Sequence, residues 1–215
     1  MIKISPSMLS CDFSQIAVDV KKVEDAGAEY LHIDVMDGIF VPNITLGPCI
    51  IKSLRPKTDL VFDVHLMITD PIRYIDEFAK AGADIITIHV ESTFDVSACI
   101  EKIKTNGKKV GLCIKPNTNP RILEKYLDRA DLILCMSVEP GFGGQSFIPE
   151  TLDNVRACAE MIKNSGRDID LEVDGGISPK NVREVKAAGA NVIVAGSAIF
   201  GSSDIPKTIK ELINN

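Results

Sequence analysis

The chain has 215 residues, of which 45% are hydrophobic and 25% are charged, a balance typical of a soluble globular protein with a large core. Its formal net charge of −6 argues against a nucleic-acid-binding surface, which needs a basic footprint. No apolar run approaches the about 20 residues that cross a bilayer, and the N-terminus lacks the pattern of a signal peptide. We therefore expect one compact domain over residues 1–215 that is cytoplasmic and binds neither nucleic acid nor membrane.

The first half of the chain alternates short β-rich runs with longer amphipathic segments. Here the pattern predicts strands at 3–5, 30–34, 61–66 and 85–90, and helices at 14–26, 48–54, 71–81 and 96–106. Asp70-Pro71 is typical of a helix start, because proline suits the first helical position.

The second half repeats this alternation. It predicts strands at 110–114, 132–136, 169–173 and 192–195, and helices at 120–127, 150–165, 179–188 and 205–213. Ser178-Pro179 is a second proline start signal. The chain therefore contains eight predicted strands and eight predicted helices.

Three segments repeat weakly: AGAEYLHIDV (26–35), AGADIITIHV (81–90) and AGANVIVAGS (188–197). Each joins a helix end, a glycine turn and an apolar strand, which is half of a βαβ unit. Strands that are apolar throughout are typical of a parallel sheet covered on both faces. Eight such units favour a single-domain TIM (β/α)8 barrel. A doubly wound open sheet is the alternative, but no G-x-G-x-x-G follows a strand to support it.

Polar residues that alternate near strand ends predict a site at the mouth of such a barrel. His32, Asp34 and Met36 share one face of the second strand; Asp63, His65 and Met67 share one face of the third; Glu172 and Asp174 share one face of the seventh. Imidazole with carboxylate is a ligand mix for zinc, iron, manganese or cobalt. A hydrogen-bonded structural histidine or a helix-capping aspartate is the alternative for any one residue alone. The remaining histidine, His89, is interpreted as structural, or as packing beneath the site.

Two glycine-rich turns predict a phosphate site beside these residues. The EPGFGGQSF segment (139–147) contains Gly141, Gly143 and Gly144, whose backbone N–H groups can face an anion. Loops after the seventh and eighth strands commonly bind phosphate in this fold, and here they contain Gly175, Gly176, Gly196 and Ser197. Tight βα turns without a ligand are the alternative.

The sequence contains no G-x-S-x-G nucleophile motif, and its six cysteines are widely spaced with no C-x-x-C pair. We expect these cysteines to be reduced thiols, as in a cytosolic protein. Lys115 follows the fifth strand, where a Schiff-base lysine is conceivable. We favour a structural or electrostatic role for it, which leaves acid–base chemistry by carboxylates beside a metal.

Six stretches closely resemble the ribulose-phosphate 3-epimerase family in the right order, from Ile4 to about Phe200. They are ISPSMLSCDF (4–13), HIDVMDGIFVPNITLGP (32–48), DVHLMITDP (63–71), MSVEPGFGGQSF (136–147), EVDGGI (172–177) and AGSAIF (195–200). The resemblance implies a (β/α)8 barrel that interconverts D-ribulose 5-phosphate and D-xylulose 5-phosphate in the pentose phosphate pathway. The substrate would be a phosphorylated ketopentose, and we expect a homo-oligomer.

The resemblance also implies roles for individual residues. His32, Asp34, His65 and Asp174 would bind one divalent metal cation per subunit, with zinc preferred over iron, manganese or cobalt. Asp34 and Asp174 would also be the acid–base pair on opposite faces of the sugar. Substrate contacts would come from Ser7, His65, the phosphate-holding residues Gly141, Phe142, Gly143, Gly144, Gly175, Gly176, Gly196 and Ser197, and the apolar wall Met36, Met67 and Met136.

One position departs from the family pattern, because members often carry histidine where this chain has Ile39. This position affects the expected loop closure and sugar specificity, not the acid–base residues. Loop 38–47 or loop 141–147 is the expected lid over the substrate. The alternatives are an allulose 6-phosphate 3-epimerase, a Schiff-base phosphosugar aldolase that uses Lys115, and a non-catalytic barrel that binds phosphosugars.

Overall fold

Eight parallel strands form the centre of the molecule in a computed structural model that describes all 215 residues, Met1–Asn215. The strands are β1 Lys3–Pro6, β2 Tyr30–Met36, β3 Val61–Met67, β4 Ile85–His89, β5 Lys109–Ile114, β6 Leu132–Met136, β7 Asp170–Asp174 and β8 Val192–Ala195. Each pairs with its neighbours in sequence, and β8 pairs with β1. A parallel bridge between Ser7 and His32 joins β1 to β2 and closes the ring. The predicted TIM barrel is confirmed.

Eight α-helices lie between or after the strands. They are α1 Ile16–Asp25, α2 Pro48–Leu54, α3 Ile75–Ala81, α4 Val96–Thr105, α5 Leu152–Ser165, α6 Val182–Ala187, α7 Ser197–Phe200 and α8 Ile205–Asn214. None of them is long and apolar enough to cross a membrane.

The helix predicted at 120–127 is present as a 3-10 helix, Pro120–Tyr126, rather than as an α-helix. Its buried residues are Pro120, Leu123 and Tyr126, which recur every third position. A 3-10 helix has three residues per turn, so this spacing places all three on one face against the core. The apolar period of this segment therefore matches the tighter helix.

The two proline start signals also behave differently from the prediction. Pro71 opens a short 3-10 helix, Pro71–Arg73, after Asp70 adopts a left-handed φ of 53°. Helix α6 begins at Val182 rather than at Pro179. The Asn181 side chain accepts a hydrogen bond from the Ser178 N–H at 2.9 Å, which holds 178–181 as a turn ahead of the helix.

The outer layer of the core is aliphatic, as the composition predicts. A cluster of 53 buried residues packs the outward faces of the strands against the helices. Inside the barrel the side chains are more polar, since His32, Asp63, Thr87 and Glu172 are all fully buried. The alternation along the strands therefore places an aliphatic layer outside the barrel and, inside it, these polar side chains beside a smaller apolar cluster that includes Leu132, Leu134 and Val192.

The amino-terminal end of the barrel is closed by an ion pair. The Lys3 ammonium lies 2.7 Å from Asp170 Oδ2, and the Tyr30 hydroxyl donates to the same oxygen at 3.1 Å. Asn191 donates to the other carboxylate oxygen at 2.7 Å. Burial alone would raise the pKa of Asp170, but the hydrogen bonds from Lys3 and Asn191 hold this pKa below its ordinary value.

We predict that Asp170→Asn lowers the free energy of unfolding by about 2 kcal/mol at neutral pH, because Lys3 loses its carboxylate partner in a half-buried site. The folded-state pKa of Asp170 is depressed, so its contribution is complete above the ordinary pKa of 3.8 and is lost as the pH falls below it. Urea denaturation across this pH range measures both effects. Asp168→Asn, at an exposed neighbour, should change stability by less than about 0.5 kcal/mol. Equal stabilities for Asp170→Asn and wild type at pH 7 would contradict the prediction.

Candidate active site

A cleft of about 530 Å³, open to solvent, lies at the carboxyl ends of the strands. It is lined by fourteen of the residues assigned to the site from sequence: Ser7, Asp34, Met36, Met67, Met136, Gly141, Phe142, Gly143, Gly144, Asp174, Gly175, Gly176, Gly196 and Ser197. His32 and His65 do not line the cleft, since both are fully buried within the barrel. The structure therefore brings the cleft residues together and leaves these two imidazoles inside the wall.

Four side chains from β2, β3 and β7 converge where the floor of the cleft meets the barrel interior: the two aspartates line the cleft and the two histidines lie beneath it. His32, Asp34, His65 and Asp174 each offer one ligand atom, and these four atoms lie within 4.8 Å of one another. His32 Nε2 lies 3.3 Å from Asp34 Oδ1 and 3.8 Å from Asp174 Oδ2. His65 Nδ1 lies 3.2 Å from the same Asp34 oxygen.

The orientation of His32 is set by a buried carboxylate. Its Nδ1–H donates to Asp63 Oδ2 at 2.7 Å, and the Thr87 hydroxyl donates to the other Asp63 oxygen at 2.8 Å. A hydrogen bond of this kind fixes the tautomer of a metal-binding histidine, because it leaves the second ring nitrogen with a free lone pair. The free nitrogen of His32, Nε2, is the one that faces Asp34 and Asp174.

The donor set fits a divalent cation. Two imidazole nitrogens and two carboxylate oxygens from three strands match transition-metal chemistry, and the two carboxylates balance the charge of one dication. Burial opposes protonation of His32, but the Asp34, Asp63 and Glu172 carboxyl groups raise its pKa well above 6.5. A bound cation would compete with this proton for the lone pair of Nε2.

The two carboxyl groups of the cluster differ in acidity. Burial opposes ionisation of Asp34, but attraction by His32 and hydrogen bonds from both imidazoles hold its pKa far below the ordinary value. The Ser7 hydroxyl also donates to Asp34 Oδ2 at 2.7 Å. Burial and the neighbouring Asp34 charge raise the pKa of Asp174 to about 6. Without a cation, Asp34 is therefore ionised near neutrality, whereas Asp174 can hold a proton there.

Glycines shape the opposite wall of the cleft. Gly176 has a φ of +66°, and a Cβ at this position would overlap the backbone of Phe147 in the neighbouring loop. A Cβ on Gly196 would lie 2.5 Å from Ser10 Oγ. Ser10 lines the cleft as well, although sequence reasoning did not select it. Helix α7 begins at Ser197, directly after Gly196.

The two loops expected to act as lids touch each other. The Asn43 side chain donates to the carbonyl oxygen of Gly141 at 2.9 Å, which joins loop 38–47 to loop 141–147. Ile39 is 79% exposed and Phe142 is 55% exposed, so both loops carry apolar side chains facing solvent. Met36 and Met67 are buried beside them in one small cluster, and Met136 is buried in another.

Two further buried groups lie behind the donor cluster. His89 Nε2 lies 3.0 Å from His65 Nε2, so His89 contacts a candidate ligand rather than packing elsewhere in the core. Neither carboxyl oxygen of Glu172 has a hydrogen-bond partner, and burial raises the pKa of this group well above 4.5. A period of two along β4 and β7 is the sequence signal that places both residues on the inner face.

Comparison with known proteins gives the same family for almost the whole chain. The model of the ribulose-phosphate 3 epimerase family matches residues 3–200. A ribulose-phosphate 3-epimerase of Synechocystis sp. is 49% identical over 216 residues, covering 100% of this chain and 94% of the relative. A ribulose-phosphate 3-epimerase of Bacillus subtilis is 48% identical, covering 99% and 98%. The chloroplastic ribulose-5-phosphate-3-epimerase of Arabidopsis thaliana is 47% identical, covering 97% and 75%.

Solved structures of lower identity share the fold alone. A 3-hexulose-6-phosphate synthase of Salmonella typhimurium superposes with a TM-score of 0.74 at 20% identity, covering 98% of this chain and 96% of that one. A tryptophan synthase α-subunit variant of Pyrococcus furiosus gives a TM-score of 0.73 at 17% identity, covering 100% and 98%. The family model and the identity to these relatives show that this chain belongs to the ribulose-phosphate 3-epimerase family.

Proposed function

We propose that this protein interconverts D-ribulose 5-phosphate and D-xylulose 5-phosphate by moving a proton at carbon 3 of the sugar. The observation that carries the proposal is the convergence of Asp34 and Asp174, two carboxyl groups of opposite pKa shift, at the floor of a cleft in a chain of this family. Inversion of a carbon requires proton removal on one face and proton return on the other. One base cannot reach both faces, so two carboxyl groups flanking the substrate suit the reaction.

The different environments of Asp34 and Asp174 give the two carboxyl groups different roles in proton transfer. An ionised carboxylate accepts the proton of carbon 3, while the protonated carboxyl group on the other face supplies one, and the two exchange roles in the reverse direction. Ser7 donates to the Asp34 oxygen that is not directed to His32 or His65, so it fixes the plane of that carboxylate.

His32, Asp34, His65 and Asp174 are the residues that would hold one divalent cation. When bound, such a cation acts as a Lewis acid that stabilises negative charge on the oxygens of the substrate. Two imidazoles and two carboxylates support zinc, with iron, manganese or cobalt as alternatives.

The phosphate end would lie in the glycine-lined wall. Gly175, Gly176, Gly196 and Ser197 follow β7 and β8, where this fold commonly holds phosphate, and Gly141 to Gly144 line the same cleft. The absence of a side chain at each of these glycines lets an anion approach the backbone N–H groups closely. Met36, Met67 and Met136 supply an apolar wall that excludes water beside the reacting carbon.

The competing functions have less support. The Lys115 ammonium lies 4.0 Å from the centre of the Phe40 ring, and Lys115 does not line the cleft, so a Schiff-base aldolase is not favoured. An allulose 6-phosphate 3-epimerase would use the same acid–base chemistry, and comparing turnover of the two sugar phosphates separates it from the pentose enzyme. A non-catalytic barrel would bind phosphosugars without turnover.

A cytoplasmic location is part of the proposal and is supported by the six free cysteines, five of them buried. The expected homo-oligomer stays a prediction, which light scattering in solution tests.

We predict that Asp34→Asn and Asp174→Asn each lower kcat at least about 100-fold, because each removes one member of the acid–base pair. In deuterated water, each variant should exchange carbon 3 with solvent from only one of the two epimers, and the two variants should retain opposite epimers. NMR of the sugar phosphate measures both effects, and the metal content of each variant must be recorded alongside. Retention of more than a few per cent of turnover by either variant would contradict the two-carboxylate scheme.

Removal of divalent metal should abolish turnover without unfolding the barrel. We expect protein dialysed against a chelator to lose activity and to regain it with one equivalent of zinc, iron, manganese or cobalt per chain. Turnover and elemental analysis test this prediction, and circular dichroism checks the fold. Full activity in protein shown to contain no metal would rule out the cation.

Ser197→Ala should raise KM for the sugar phosphate about 10-fold or more while leaving kcat nearly unchanged, because a hydrogen bond to a charged group is worth about 1.5–3 kcal/mol. Steady-state kinetics in both directions measure the effect. Ser53→Ala is the matched control, since Ser53 is an exposed serine on α2 outside the cleft. A fall in kcat with unchanged KM would argue against phosphate binding at this position.

A further inference from the structure

A chain of hydrogen bonds leads from His65 away from the donor cluster. His65 Nε2 lies 3.0 Å from His89 Nε2, and His89 Nδ1 lies 3.2 Å from Glu91 Oε2. The two imidazole rings stack with centroids 5.0 Å apart and planes 26° from parallel. Both histidines are fully buried, and neither His89 nor Glu91 lines the cleft.

With a cation bound at the donor cluster, the direction of each hydrogen bond in this series follows from the lone pair that the cation requires. His65 Nδ1 faces the donor cluster, and a nitrogen that binds a metal must carry a lone pair. The ring proton of neutral His65 therefore lies on Nε2, which must donate to His89. His89 Nε2 must accept, so the ring proton of His89 lies on Nδ1 and is donated to Glu91, whose carboxylate can only accept.

Glu91 is itself held in place. Its other oxygen, Oε1, accepts the Lys115 backbone N–H at 2.8 Å and the Thr118 hydroxyl. The centroid of the Phe40 ring lies 4.9 Å from that of the His89 ring. The Lys115 ammonium lies 4.0 Å from the centroid of the same Phe40 ring. The loop after β5 and the loop after β2 thus secure the far end of the chain.

We propose that His89 and Glu91 are positioning residues for the candidate metal site: they hold His65 in the tautomer whose Nδ1 lone pair faces the cation. This inference rests on the proposed function only in assuming a divalent cation at His65. It assigns to His89 and Glu91 the task that Asp63 performs directly for His32. Outer partners of this kind typically change metal affinity about 10–100-fold.

Metal affinity provides the first test. We expect His89→Leu to weaken zinc binding about 10–100-fold in competition with a chromophoric chelator, because His65 loses its acceptor. His89→Gln should regain most of the affinity, since its side-chain oxygen can accept where His89 Nε2 does. Ser92→Ala is the matched control. The buried Ser92 hydroxyl donates to the His89 carbonyl at 2.9 Å but takes no part in the hydrogen bonds from His65 to Glu91, so this variant should bind zinc like wild type.

The tautomers of the wild-type protein provide a second test that requires no variant. The protein has only three histidines, so the nitrogen NMR spectrum of the zinc-loaded protein contains signals from only six imidazole nitrogens. We expect the proton of His89 on Nδ1 and that of His65 on Nε2. A proton on His89 Nε2 would overturn the proposal, because His65 Nε2 would then have to accept and its Nδ1 would carry the proton.

Other outcomes separate this inference from the proposed function. Wild-type zinc affinity in His89→Leu, with normal epimerisation by the wild-type protein, overturns the inference and leaves the function intact. The predicted tautomers and weakened affinity without epimerisation support the inference and reject the function. Two zinc ions per chain, falling to one in Cys113→Ser, would instead indicate a second site at His65, His89 and Cys113, and would overturn the proposal.

Discussion

The parallel register of β2 and β3 is the constraint on which the site depends. It places His32 opposite Asp63 and Asp34 opposite His65, so that imidazole and carboxylate meet twice across one strand pair. Because side chains alternate along a strand, a slip of one residue would turn the two groups of the slipped strand outward against the helices. The aliphatic layer between strands and helices makes that slip costly, since it would bury these charged groups among methyl groups.

Burial of so many ionisable groups requires compensation from within the barrel. Hydrogen bonds direct Asp63 towards His32 and Thr87, and the raised pKa of Glu172 lets it remain neutral behind them. Asp34 and Asp174 face the cleft with opposite pKa shifts, which is the electrostatic condition for an acid–base pair. At the other end of the barrel, Lys3 and Asp170 close the interior to solvent.

Most elements were predictable because their signals are local. Strands β6 and β8 and helix α2 have the bounds that periodicity predicts. Pro120–Tyr126 was predicted as a helix without a type, and its apolar spacing of three matches the 3-10 helix that the structure shows. The start of α6 was missed because the Ser178–Asn181 turn depends on a side-chain hydrogen bond that proline position does not reveal.

The sequence by itself determined the barrel, the family and the identity of the cleft residues, because alternation along strands and family strings are properties of the chain. Only the tertiary structure decided what depends on packing between strands: the opposite acidities of Asp34 and Asp174, the contact of loop 38–47 with loop 141–147, and the chain from His65 through His89 to Glu91. His89 lies 24 residues from His65, so no local pattern joins them. Their contact exists because β3 and β4 pair side by side with both side chains on the inner face.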